Sequence, residues 1–316
     1  MSGVEKPAVS ADAPSQPGLA PVVVFAYLRA DHLRRSIASL QANPEARHTD
    51  LTVFCDAPQR PEQQAQAQAV RDCVESLAGF RSVTRVYRPH NLGLARSIID
   101  GVSQALAVHY RVIVLEDDLV VSPHFLRYMN DALDRYRDDP RVASVHGYSY
   151  PTPEPLPETF FLEGADCWGW ATWSRAWAHF EPDGARLLRE LRERKLSRRF
   201  DFDDRFPYVQ MLEDQVAGRN SSWAIRWHAA TYLKGLLTLY PGRSLVHNIG
   251  NDSSGTHCGS TDAMGAASTE APVPVQAIAV QPCEPARQAF GRFLASQRPW
   301  RHRLQSTLRR WMRAAA

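Results

Sequence analysis

Cysteine is scarce in this chain and long apolar runs are absent, and each absence excludes a class of protein. The five cysteines (Cys55, Cys73, Cys167, Cys258 and Cys283) are odd in number, widely spaced, and contain no CxxC pair. That pattern excludes a disulfide-stapled module and a zinc ribbon, and it fits a reducing compartment. No apolar stretch reaches the roughly 20 residues that a membrane-spanning helix needs. The first twenty residues are rich in Pro, Ala and Ser and lack the basic start and apolar core of a secretory signal. The expectation is a cytoplasmic protein with a disordered lead over residues 1–20. Strong net charge is missing as well. The balance over 316 residues is +3, so composition names no partner. Only the end of the chain is biased, with eight Arg against one Glu in residues 284–316.

What is present is alternation. Short apolar, β-branched runs at Pro21–Tyr27, Leu51–Cys55, Val83–Tyr87, Arg111–Leu115 and Val142–His146 read as strands. Helical patterns fall between them over 32–41, 61–77, 91–108 and from Ser122 or Pro123 to about Tyr136. Strand and helix alternating on short connections predict an α/β fold: a mostly parallel, Rossmann-like sheet with helices on both faces. Such sheets bind ligands at the carboxyl ends of their strands. Residues 150–259 lose the alternation and hold six tryptophans, which predicts an α+β elaboration completing a pocket. Residues 260–285 read as a low-charge linker, and 286–316 as a basic amphipathic helix.

The most informative stretch is Val112–Ile113–Val114–Leu115–Glu116–Asp117–Asp118. A buried strand running into three carboxylates repels itself unless a cation sits there, and a divalent metal prefers such oxygen ligands. On an extended strand alternate residues face opposite sides, so Glu116 and Asp118 would share a face with Asp117 on the other. One or two direct metal ligands are therefore expected. The competing reading is a solvated turn that caps the following helix.

Other segments are weighed the same way. Asp56 ends a strand, where it either meets a nucleotide base or serves as a turn residue before Pro58. Arg29 follows the first strand and belongs to the same end of the sheet. Asn91, Gly93 and Arg96 open a helix whose free N–H groups favour anions, unless this is a plain helix start with Arg96 in solvent. Trp168 or Trp170 suits a sugar face, whereas Trp173 and Trp177 read as core. Glu213 and Asp214 sit beside apolar residues and offer a general base, or else an exposed helix face. His247–Cys258 reads as a polar loop able to close over a nucleotide, with His247 and His257 as further polar candidates.

The segment Leu115–Glu116–Asp117–Asp118–Leu119–Val120–Val121–Ser122–Pro123–His124–Phe125–Leu126 resembles the metal-binding segment of the N-acetylglucosaminyltransferase I group. Those enzymes are GT-A glycosyltransferases, and the ending around Gly255–Thr256–His257 is closer to bacterial family 2-type relatives. The likeness covers residues 21–259, divided into a nucleotide-sugar half (21–149) and an acceptor half (150–259). It implies a metal-dependent, inverting glycosyltransferase using a nucleotide sugar, with UDP favoured, and Mn²⁺ or Mg²⁺ as cofactor. It implies Asp118 as the metal ligand, with His257 a weaker second. Asp117 is implied at the ribose and Glu116 at the transferred sugar. Asp56 is implied at the base with help from Arg29, and Asp214 as catalytic base with Glu213 and Asp166 as rivals. The acceptor would be a glycan, a lipid-linked sugar or a protein.

Two other classes compete. A sugar nucleotidyltransferase would carry a Gly-rich basic loop after the first strand, and Ala26–Asp31 has no glycine. A non-catalytic carbohydrate- or membrane-binding protein is suggested by Trp300, Leu304, Leu308, Trp311 and Met312 at helical spacing among arginines. The tail would then touch the inner face of a membrane. No nucleic-acid reading motif is present.

Overall fold

The computed structural model describes residues 18–250 and 268–297. The first half follows the sequence alternation closely. Strand β1 (Val22–Ala26) is buried throughout. Helix α1 (Ala30–Gln41) buries Leu33, Ile37 and Leu40, the three-and-four spacing of a single helical face. Then come β2 (Asp50–Cys55), α2 (Gln64–Glu75), β3 (Ser82–Tyr87), α3 (Leu94–Val108) and β4 (Arg111–Glu116). After β4 the chain makes a two-residue turn into a short strand, β5 (Leu119–Val121), before α4 (Phe125–Arg135) and β6 (Val142–His146). Sequence periodicity did not reveal β5, because three residues are too few to carry a pattern.

The second half is built from β7 (Thr159–Glu163), β8 (Trp170–Trp173), α5 (Ser174–Trp177), α6 (Gly184–Glu193) and α7 (Ser197–Phe200). It continues with α8 (Tyr208–Val216), α9 (Trp223–Leu233), β9 (Leu237–Pro241), β10 (Val246–Asn248) and α10 (Glu284–Ser296). The main sheet runs β3-β2-β1-β4-β8-β6-β9-β7, and β10 pairs with β5 in a small second sheet. β3, β2, β1 and β4 are parallel. β8 lies antiparallel between β4 and β6, and β7 is antiparallel to β9. The result is a mixed α/β architecture with a central sheet flanked by helices, in keeping with a GT-A-like Rossmann fold.

Val112, Ile113, Val114 and Leu115 of β4 are essentially inaccessible. Burial of side chains of this size contributes about 1.5–3 kcal/mol each. That rigid floor holds the end of β4 in place. Trp170 of β8, Trp177 of α5, and Trp223 and Trp227 of α9 form one aromatic cluster, with Trp170 stacked on Trp223 at 5.3 Å. Trp170 is therefore core, as expected of Trp173 and Trp177.

The described part of the expected linker is not free. Val273 is buried, Pro282 bridges to Phe161 beside β7, and Val275, Ile278 and Val280 pack on the main core. Helix α10 docks too: Ala286 and Phe290 pack against Phe160 and Tyr240. Buried Arg287 binds Asp203 at 2.8 Å. That pair secures three successive left-handed residues, Phe202, Asp203 and Asp204, each costly for a side-chain-bearing residue. The tail residues expected at a membrane, Trp300–Met312, lie outside the described residues. No helix among the described residues is long and apolar enough to cross a membrane.

Candidate active site

The acidic triplet sits where β4 stops. Glu116 ends the strand, while Asp117 and Asp118 form the turn into β5. The turn overrides the alternation expected of an extended strand. Instead of facing opposite sides, Asp117 and Asp118 converge on one atom. Arg29 Nη2 donates to Asp117 Oδ1 at 2.5 Å and to Asp118 Oδ2 at 2.9 Å. Asp117 Oδ2 also accepts the Tyr27 N–H at 2.9 Å, tying the turn to the end of β1.

The electrostatics follow from this crowding. Burial pushes the Glu116 carboxyl up to about 8, and the charges of Asp118 and Asp117 add to the effect. Burial also pushes Asp117 up to about 7, against the pull of Arg29. For Arg29 burial works to lower the pKa, but the two aspartates outweigh it and leave the guanidinium raised. Its backbone approach is strained, because the preceding Leu28 has φ of 54°. Arg29 Nη1 is buried without a hydrogen-bond partner. Among the described residues no three His, Cys, Asp or Glu side chains group as a metal cage. Two carboxylate oxygens do meet at a point occupied by a cationic nitrogen, however. A Mg²⁺-type site on a nucleotide takes only one or two carboxylates, with phosphate oxygens completing the set. The donor set fits such an ion. His257 lies outside the described residues.

A second element reaches this point from far along the chain. β10 pairs antiparallel with β5, and Ile249 N–H donates to the Asp118 carbonyl at 2.9 Å. The loop expected to close over the site thus begins by packing on Asp118. A Cβ built on Gly250 would lie 2.1 Å from Asp118 Oδ2 and 2.8 Å from its Cγ. Only a residue without a side chain lets the backbone pass. Gly250→Ala should therefore displace the Asp118 carboxylate and cut kcat/KM by about a hundredfold, the scale of a 1 Å misplacement. Circular dichroism should show an intact fold, and wild-type kinetics from this variant would remove Asp118 from the site.

Asp56 has a structural task. Its carboxylate accepts N–H groups from Ala57, Leu92 and Gly93 at 2.9–3.1 Å. Asn91 Nδ2 donates to the Ala57 carbonyl at 2.7 Å. Together they hold the entry to α3, where Gly93 has φ of 73°. Asp56, Asn91 and Gly93 thus stand together at the carboxyl end of β2. Arg96, one turn further, is exposed and lines a groove on α3; no bond ties it to the triplet.

Asp166 lies on the segment joining β7 to β8. Cys167 beside it is close enough to feel Asp166, Glu116 and Asp118, although burial is the main reason its thiol pKa is raised. Among the described residues Asp166 forms no ion pair; its Oδ1 accepts the Cys167 N–H at 2.9 Å, and the Cys167 thiol also bonds to its carboxylate. Two buried histidines that sequence reasoning did not single out hold this segment. His146 Nδ1–H donates to the Tyr148 carbonyl, and its Nε2 accepts the Trp168 N–H at 3.0 Å. His228 Nδ1–H donates to the Ala165 carbonyl at 2.8 Å. Both are kept neutral by burial. No local signal marked them, because a lone histidine in an apolar run reads as core. Trp168 is half-exposed and packs edge-on against Tyr148, so of the two tryptophans considered it is the one available to a ligand.

The other carboxylates are engaged elsewhere. Asp214 on α8 binds Arg219 Nη2 at 2.5 Å and Gln210 at 3.0 Å, and the hydrogen bond from Arg219 is the first reason its pKa is lowered. Glu213 binds Arg192 at 2.5 Å. Neither forms a hydrogen bond or ion pair with the triplet. Asp201 caps Val209 N–H.

No curated protein matches this chain. Among solved structures it is similar to the mannosyltransferase PcManGT from Pyrobaculum calidifontis, in complex with GDP-Man and Mn²⁺. That likeness has 20% identity and a TM-score of 0.33, over 46% of this chain and 40% of that one. It is similar to S. aureus TarS at 14% identity and a TM-score of 0.31, over 46% of this chain and 24% of that one. Residues 22–189, more than half of the chain, match the family described as Glycosyl transferase family 2. This stretch contains β1, the Asp56 clamp, the acidic turn and the Asp166 segment, and the chain belongs to glycosyl transferase family 2.

Proposed function

We propose that this protein is a metal-dependent, inverting glycosyltransferase that moves a sugar from a nucleotide sugar, with UDP as the nucleotide, to an acceptor hydroxyl. The observation that carries this reading is the convergence of Asp117 and Asp118 on one cationic point at the carboxyl end of β4. The likeness of Leu115–Leu126 to the N-acetylglucosaminyltransferase I segment supports the inverting course.

Asp118, with Asp117 beside it, would hold Mn²⁺ or Mg²⁺, which when bound supplies positive charge at the donor diphosphate. Arg29 provides a second positive group at the same place, and its unpartnered Nη1 is available to a phosphate oxygen. Asp56 and Asn91 shape the base and ribose end by holding the entry to α3. Glu116 faces the transferred sugar. For the base, Asp166 is the better candidate than Asp214 or Glu213, because those two are each held by an arginine and neither contacts the triplet. Asp166 takes the proton from the acceptor hydroxyl. The hydroxyl oxygen then forms its bond to the anomeric carbon, and the bond to the diphosphate breaks with its electron pair leaving on the nucleotide.

Thermal-shift titration of the full chain with UDP-, GDP-, CDP- and dTDP-sugars, with and without Mn²⁺, tests the reading. A Mn²⁺-dependent rise of about 5 °C is expected with a UDP-sugar near 100-fold saturation. A rise with another nucleotide reassigns the donor, and no rise with any donor rejects the reading.

A further inference from the structure

The α3 face that starts at the Asp56 clamp continues into an open groove of about 940 Å³ between α3 and the α8–α9 connection. Its lining includes Arg96, Arg219 and Arg226, with Asn220 and Ser221 as further polar groups and Ala95 and Ile99 as apolar floor. The positive charge here is not balanced. Asp100, the one carboxylate among the lining residues, is bound by Arg88 at 2.6 Å. Arg96 and Arg226 form no ion pair among the described residues. Arg226 is held in place by the Ser222 and Pro182 carbonyls at 3.1 and 3.2 Å and by the Phe180 ring, all of them neutral. Only Arg219 is paired, to Asp214. The fold thus positions one guanidinium with neutral contacts and leaves a second exposed, beside apolar surface suited to sugar ring faces.

We infer that this groove binds an anionic glycan, through a carboxylate or phosphate that Arg226 and Arg96 recognise. The inference rests on the glycosyltransferase reading for the choice of a glycan; the groove's preference for anions stands apart from it. Recognition of this kind is electrostatic, so it weakens with salt.

Calorimetric titration of the full chain tests it with three probes: hyaluronan tetrasaccharide, maltose 1-phosphate and neutral chitotetraose, each at 50 and 300 mM NaCl. At least one anionic probe should bind tenfold or more tightly than chitotetraose at low salt, with the advantage falling severalfold at high salt. Preference for the carboxylated probe names a uronate, preference for the other names a phosphate, and both together name charge alone. Arg226→Gln should remove about tenfold of the anionic affinity. Ser221→Asp, an exposed change that needs no rearrangement of α9, should do the same. Equal binding of neutral and anionic probes, no binding of any, or unchanged preference in Ser221→Asp overturns the inference. A UDP-sugar thermal shift without anionic preference sinks the groove alone, whereas anionic preference without any nucleotide-sugar shift sinks the glycosyltransferase reading and leaves the anion site.

Discussion

Asp118→Asn should lower nucleotide-sugar turnover by at least about a thousandfold, roughly 4 kcal/mol of transition-state stabilisation, without lowering Tm. The two effects separate for a physical reason. Asp118 is one of three crowded acids, and Glu116 and Asp117 already carry raised pKa values because of burial and mutual repulsion. Removing one negative charge relieves Glu116 directly. Arg29 keeps its contact with Asp117, so no buried cation is stranded. The asparagine amide retains the shape that packs against Gly250. The site is thus held in an arrangement that costs stability, as expected of a functional cluster. Steady-state turnover over a Mn²⁺ titration, alongside thermal melts of both proteins, checks the pair of effects. Turnover within tenfold of wild type, or wild-type activity that persists in excess chelator, would falsify the role of Asp118. A large loss of Tm would instead make the aspartate a structural residue.

Asp166→Asn carries the second large effect. Loss of a general base typically costs 10²–10⁴ in rate, so kcat should fall by about a thousandfold. The thermal shift from donor and Mn²⁺ should be retained, because the role proposed for Asp166 is at the acceptor rather than at the nucleotide. Asp214→Asn is the informative partner. Its carboxylate is bonded to Arg219 and Gln210 and has a lowered pKa. It is expected to keep kcat within about threefold, a surface-pair effect. Single-turnover rates of both variants at saturating donor decide the matter. If Asp214→Asn loses the rate and Asp166→Asn does not, the base lies on α8 and the acceptor approaches from that side.

Several features of this protein were legible in its residues alone. The apolar runs and their spacing specified five of the strands of the first half and the helices between them, because helical and strand periodicity are local properties. The carboxylates after Leu115 announced a cation-requiring strand end for the same reason: burial and repulsion can be read from neighbours in the chain. The expected core role of Trp173 and Trp177 also held.

What decided the site was long-range. The insertion of β8 between β4 and β6 depends on its pairing with β4 across more than fifty residues, which no local period encodes. It took Trp170 into the core and left Trp168 half-exposed. The tight turn after Glu116 brought Asp117 and Asp118 onto Arg29, replacing the strand alternation that separates them on paper. The pairing of β10 with β5 placed Gly250 against Asp118 from over a hundred residues away. Local composition determines which elements form and which charges need a partner. Only the packed chain determines which partner arrives, because convergence of side chains on one point is a property of the tertiary contacts and not of any segment.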